Sequence, residues 1–111
     1  MPIPTLHFIS GLPRSGSTLL AGILRQNPRF HAAMSSPVAS LVNGVLEQMG
    51  AGSESYPFFD TAKRKAICRA LIDAYYVDKA EPVIFDTNRH WTARMHQLVE
   101  LVDGFRMICC V

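Results

Sequence analysis

Apolar residues along this chain follow two alternating rhythms, short unbroken runs and longer stretches at helical spacing. The first run, residues 6–10, ends at Gly11 and fits a buried parallel strand. From Ser17 to Arg25 the residues Leu19, Leu20, Ile23 and Leu24 fall at i, i+3 and i+4, predicting a helix that Asn27-Pro28 stops. Ser36 followed by Pro37 gives an N-cap and first-turn signature for a second helix, running to about Met49. Val38, Leu41, Val42, Val45 and Leu46 form its stripe, and Gly50 closes it. After a loop rich in glycine and serine, Asp60 or Thr61 opens a third helix to about Tyr76. Ala66, Ile67, Ala70, Leu71 and Ala74 are expected to face the core, and Lys63-Arg64-Lys65 with Arg69 to form a solvated face. Residues 82–86 read as a second strand. Residues 92–102 read as a fourth helix, with Met95, Leu98, Val99 and Val102 on one side. Asp103-Gly104 then turns the chain into a third strand at 105–111. Strand and helix patterns alternating at this spacing predict an α/β fold with a parallel sheet flanked by helices.

Composition narrows the picture. A chain of 111 residues is one domain at most. Eleven basic against nine acidic side chains leave a net charge of +2, so no general basic field points to nucleic acid or an anionic membrane. The three cysteines, two of them adjacent, make no disulfide framework and no metal-ligand spacing. They read as reduced and buried, the pair Cys109-Cys110 in the last strand, in an intracellular protein. The N-terminus lacks the features of a signal peptide, and no apolar run approaches the ~18 residues of a membrane-spanning helix. The expected compartment is the cytoplasm.

The candidate chemistry begins where the first strand ends. Gly11 and Gly16 bound a loop and Thr18 comes two residues later, giving the P-loop frame G-x-x-x-x-G-x-T with Ser17 where that frame has lysine. Glycine permits the backbone to turn and approach a ligand closely. Successive N–H groups, with the amino end of the next helix, then make an anion cradle. Ser15, Ser17 and Thr18 add hydroxyl donors and Arg14 a permanent charge with a planar donor fork. Without the lysine that reaches the outer phosphates, nucleoside triphosphate hydrolysis loses its main cation.

The stretch Gly11-Leu12-Pro13-Arg14-Ser15-Gly16-Ser17-Thr18-Leu19-Leu20 resembles the 5′-phosphosulfate-binding loop of the sulfotransferases. Leu24-Arg25-Gln26-Asn27-Pro28 is similar to the segment just beyond that loop in bacterial and protein-tyrosine sulfotransferases. The resemblance implies 3′-phosphoadenosine 5′-phosphosulfate (PAPS) as sulfuryl donor and no metal ion. It places Pro13, Arg14, Ser15, Gly16, Ser17 and Thr18 on the donor. A second constellation, Asp86-Thr87-Asn88-Arg89-His90-Trp91, sits at the end of the second strand, where an open parallel sheet binds its ligands. Asn88-Arg89 looks like the Asn-Lys pair of tyrosylprotein sulfotransferases, which makes Arg89 a candidate cation on the transferring group. His90 is the nearest counterpart of the histidine base of many cytosolic sulfotransferases, and histidine ordinarily titrates near neutrality. Asp86 can orient either group or cap the next helix. The glutamate base that tyrosylprotein sulfotransferases carry after the first helix has no equivalent in residues 30–37. His31 is a weaker candidate, and His7 and His96 read as structural.

In the resembled family the strand matching residues 105–111 leads into the arginine and serine that hold the 3′-phosphate of PAPS. The resemblance therefore implies the N-terminal part of a single P-loop-type domain over residues 1–111, ending after its third strand. Three strands with open edges can self-associate. Alternative readings are a nucleotide kinase or NTPase with an altered P-loop, for which Phe85-Asp86 is a partial metal-carboxylate signal, and a non-catalytic binding module. For the acceptor, tyrosine, carbohydrate, lipid and small alcohols all fit. Tyr56, Phe58, Phe59 and Trp91 are aromatic candidates for a pocket wall, or for packing.

Overall fold

Phe8, Ile9 and Ser10 are all buried, which a strand achieves only when both its faces are covered. In the computed structural model, which describes residues 5–11 and 16–111, they belong to β1 (Thr5–Gly11), an inner strand of a four-stranded sheet. After β1 come α1 (Ser17–Leu24), β2 (Phe30–Ala32), α2 (Val38–Gln48), α3 (Thr61–Tyr75), β3 (Val83–Thr87), α4 (Met95–Leu101) and β4 (Met107–Cys110). The sheet order is β2-β3-β1-β4 and every pairing is parallel, in registers that set Ile9 beside Thr87, Gly11 beside Cys110 and Ala32 beside Phe85. The expected α/β class and parallel sheet are present. The three expected strands form as β1, β3 and β4, and β2 is an additional short edge strand.

Chain contacts divide into two units, one made of Met1–Ser36 with Lys79–Val111 and the other of Pro37–Asp78. In the first, α1 packs against β1, β2 and β3. Ile9, Ala21, Ala32 and Phe85 form the cluster on that face, joined by Leu20, Leu24 and Phe30. Leu19 and Ile23, expected in the stripe, point outward at 69 % and 54 % exposure, because an eight-residue helix on a sheet covers only one flank. Phe8 projects to the other face, with its ring 4.8 Å from that of Trp91 and 5.4 Å from that of Phe105. The fourth helix begins as a 3₁₀ turn at Thr92–Arg94 before α4, and it buries Leu98 and Leu101 rather than Met95 and Val99.

The second unit is a helix pair. Pro37 is the cap residue of α2, with no side-chain cap bond, while the expected cap Ser36 spends its hydroxyl on Asp86. Asp60 does cap α3, accepting from Lys63 N at 2.7 Å. The buried side of α3 carries Cys68 and Ile72, and the expected Ala66, Ala70 and Ala74 are exposed. Arg64, expected on a solvated face, is half-buried instead. It donates to Met49 O at 3.2 Å and to Phe59 O at 3.0 Å, with its guanidinium 5.0 Å over the Tyr56 ring. Phe58 is 74 % exposed. Among the described residues no helix is long and apolar enough to cross a membrane.

Candidate active site at the carboxyl ends of β1 and β3

β1 and β3 are neighbours, but the chain leaves them in opposite directions, from β1 towards β2 and from β3 towards β4. With right-handed crossovers such connections leave to opposite faces, and the ends of β1 and β3 are then the place where an open parallel sheet binds ligands. The element that follows β1 is α1. Gly16 takes φ 95°, a left-handed conformation that suits glycine, and a Cβ there would meet nothing within 4 Å among the described residues. The glycine is needed for conformation rather than for space. Its carbonyl accepts from Leu20 N at 2.9 Å, and no acidic side chain lies in the first turn of α1. Ser17 is half-buried and Thr18 exposed. Pro13, Arg14 and Ser15 lie outside the described residues.

The end of β3 passes into a turn held from within and from β1. Asn88 N donates to Ile9 O at 2.9 Å, Asn88 Nδ2 to Ser36 O at 3.2 Å, and Asn88 Oδ1 accepts from His90 N at 2.9 Å. Ser10, buried in β1, donates through Oγ to Arg89 O at 3.0 Å. The same oxygen accepts from Thr92 Oγ1 at 2.6 Å and Thr92 N at 3.2 Å. Beneath the turn the buried carboxylate of Asp86 accepts from Trp91 Nε1 and from Ser36 Oγ, both at 2.6 Å. Asp86 therefore orients Trp91, and Trp91, 1 % exposed, is core rather than pocket wall.

These anchors leave the side chains of Arg89 and His90 exposed at a cleft of about 390 Å³, shared with Gly11, Thr92, Cys109 and Cys110. The structure thus brings Arg89 and His90 together with the residue at which the glycine loop begins. Cys109 is exposed and Cys110 half-buried, contrary to the expected buried pair, because β4 is an edge strand with one side unpaired. The remaining histidines are elsewhere: His31 lies inside β2, His96 in α4, and His7 near the amino end of β1. His7 Nδ1 accepts from Arg106 N at 2.9 Å, and burial, helped by the Arg106 charge, lowers its pKa. Burial raises the Cys68 thiol. The sequence does not reveal Ser10 and Thr92. The only signal for Ser10 is a polar residue closing an otherwise apolar strand.

The end of the sheet thus carries a helix entered through a left-handed glycine and a turn that presents an arginine and a histidine. The chain matches the Sulfotransferase family over residues 7–109, nearly its whole length, and belongs to that family. No curated protein matches it.

Proposed function

We propose that this sulfotransferase-family chain takes PAPS as its donor and transfers the sulfuryl group to a hydroxyl or amine acceptor. The observation that carries the reading is the meeting of Gly11, Arg89 and His90 around one cleft. The residues fit the anionic end of the donor. Gly16 opens α1 in a left-handed conformation, and the first turn adds no negative charge to oppose an anion. In this reading Pro13, Arg14, Ser15, Gly16, Ser17 and Thr18 hold the 5′-phosphosulfate through amides, hydroxyls and one guanidinium. When bound, the donor supplies a sulfuryl group whose S–O bond to phosphate breaks as the acceptor's oxygen or nitrogen bonds to sulfur. Arg14 and Arg89 offset charge on the equatorial oxygens and on the departing phosphate. His90 takes the acceptor's proton. Ser10 and Thr92 keep the Arg89–His90 turn in place before any ligand arrives, so its ordering does not have to accompany binding. The cytoplasm is the compartment this reading assigns, and self-association would run through the edge strands β2 and β4.

Titration calorimetry with adenosine 3′,5′-bisphosphate and, separately, magnesium-ATP tests the reading on wild type, Arg14→Ala and Arg89→Ala. The expected result is bisphosphate binding that each substitution weakens by roughly tenfold or more, with ATP silent. ATP binding that needs magnesium, without bisphosphate binding, would put the nucleotide-kinase reading in its place. Silence towards both in a folded sample would leave a binding module.

A further inference from the structure

Thr87, the last residue of β3, is 6 % exposed, and its hydroxyl oxygen is buried with no hydrogen-bond partner among the described residues. A buried hydroxyl left unpaired is unfavourable where a methyl group of the same shape would not be. Its chain neighbours are fully engaged, Asp86 with Trp91 and Ser36, Asn88 with Ile9, Ser36 and His90. Among the described residues at this strand end the defect is confined to one atom.

Register gives that atom its direction. Thr87 stands beside Ile9 in parallel pairing, and Ile9 packs with Ala21 of α1 and with Phe85, two residues before Thr87. Alternation along β3 therefore puts the Thr87 side chain on the α1 face and the Asp86 side chain on the opposite one. Thr87 also lies at the carboxyl end of the sheet, the end at which α1 starts. Two features lie on this face at this end of the sheet. One is the opening turn of α1, with Gly16 as its side-chain-free cap and no acidic residue. The other is a hydroxyl with no acceptor among the described residues, although it can rotate to donate.

We infer that Thr87 Oγ1 donates a hydrogen bond to an oxygen of the tetrahedral anion bound at the amino end of α1, which makes Thr87 a donor-binding residue supplied by β3. The inference rests on the sulfuryl-donor reading. The oxygen belongs either to the 5′-phosphate or to the sulfuryl group, which offer the same chemistry.

The test compares wild type, Thr87→Val and Thr87→Ser by thermal melting and by titration with the bisphosphate and with PAPS. Valine keeps the shape and removes the donor. The Thr87→Val protein should melt at the same temperature as wild type or a few degrees higher, and should bind roughly tenfold more weakly. Thr87→Ser should bind as wild type does. Weakening towards both ligands places the bond on the 5′-phosphate, and weakening towards PAPS alone places it on the sulfuryl group. Unchanged affinity of Thr87→Val for both overturns the inference while leaving the donor reading intact. A lowered melting temperature also overturns it, since the hydroxyl would then have a partner within the free protein. A wild type silent to both ligands sinks the donor reading and the inference with it.

Discussion

The Asp86 carboxylate is 0 % exposed and takes hydrogen bonds from an indole and a hydroxyl, each 2.6 Å away. Bonds to a charged acceptor are stronger than neutral ones, and the donors left behind when the acceptor is removed have no water to turn to. Trp91 Nε1 would be stranded in the core, under a ring that packs on Phe8. Asp86→Ala should therefore destabilise the protein by about 3 kcal/mol, read as a lowered urea midpoint. Asp86→Asn, which keeps one acceptor oxygen, should recover part of the loss. A change below about 1 kcal/mol for Asp86→Ala would mean that both donors find other partners. The consequence reaches the site, because Trp91 adjoins His90 and the Ser36 that Asp86 holds also takes Asn88 through its carbonyl. Arg89 and His90 are exposed, yet the backbone that presents them is fixed from beneath by a buried, hydrogen-bonded side chain.

At the scale of elements, β4 is registered on β1 by backbone bonds and by one side chain. Phe8 N donates to Arg106 O at 3.0 Å, and Arg106 N donates to His7 Nδ1 at 2.9 Å. A protonated imidazole cannot accept that bond. With its pKa lowered by burial and by the Arg106 charge, His7 takes up a proton in the unfolded chain before it does so in the fold. Its contribution is thus fully present above the ordinary histidine range, and is lost as pH falls from about 6.5 through the lower folded-state value. The melting temperature should drop over that window, and His7→Gln should flatten the drop. An unchanged slope in His7→Gln would remove His7 from the acid response. This junction is not legible in the sequence, where His7 and Arg106 are distant and only the register of β1 with β4 joins them. The same limit explains Ser10 and Thr92, while the glycine loop and the Asp86–Trp91 stretch are readable because each is local. β2 escapes a sequence reading because three residues with a histidine in the middle show no strand rhythm, and it forms by pairing with Val83, Ile84 and Phe85. The stripe of α3 departs from expectation for a different reason. Alanines at helical spacing count as apolar but bury little, and the inward face goes to Cys68 and Ile72, with the long stem of Arg64 half-covered.

For the molecule as a whole, the division of labour between the two units matters most. The cleft residues Gly11, Arg89, His90, Thr92, Cys109 and Cys110, and the anchors Ser10, Ser36 and Asp86, all fall in the unit formed by the two ends of the chain. Parallel pairing of β1 with β3 and with β4 stitches those ends together across more than 70 positions. The unit from Pro37 to Asp78 contributes none of them. It has its own helix pair and its own apolar groove of about 430 Å³, lined by Leu41, Val45, Met49, Phe59 and Ile67 among others. The family match nevertheless runs through both units. Donor binding should accordingly be a property of the first unit alone. Leu41 and Phe58, 46 % and 74 % exposed, can be changed to serine with little loss of buried apolar surface. Leu41→Ser and Phe58→Ser should each leave bisphosphate affinity within about twofold of wild type, since neither belongs to the unit that carries the cleft. Arg89→Ala, titrated under the same conditions, should lower it by roughly tenfold. A tenfold loss in either serine variant, with melting unchanged, would mean that donor binding is not a property of the first unit alone.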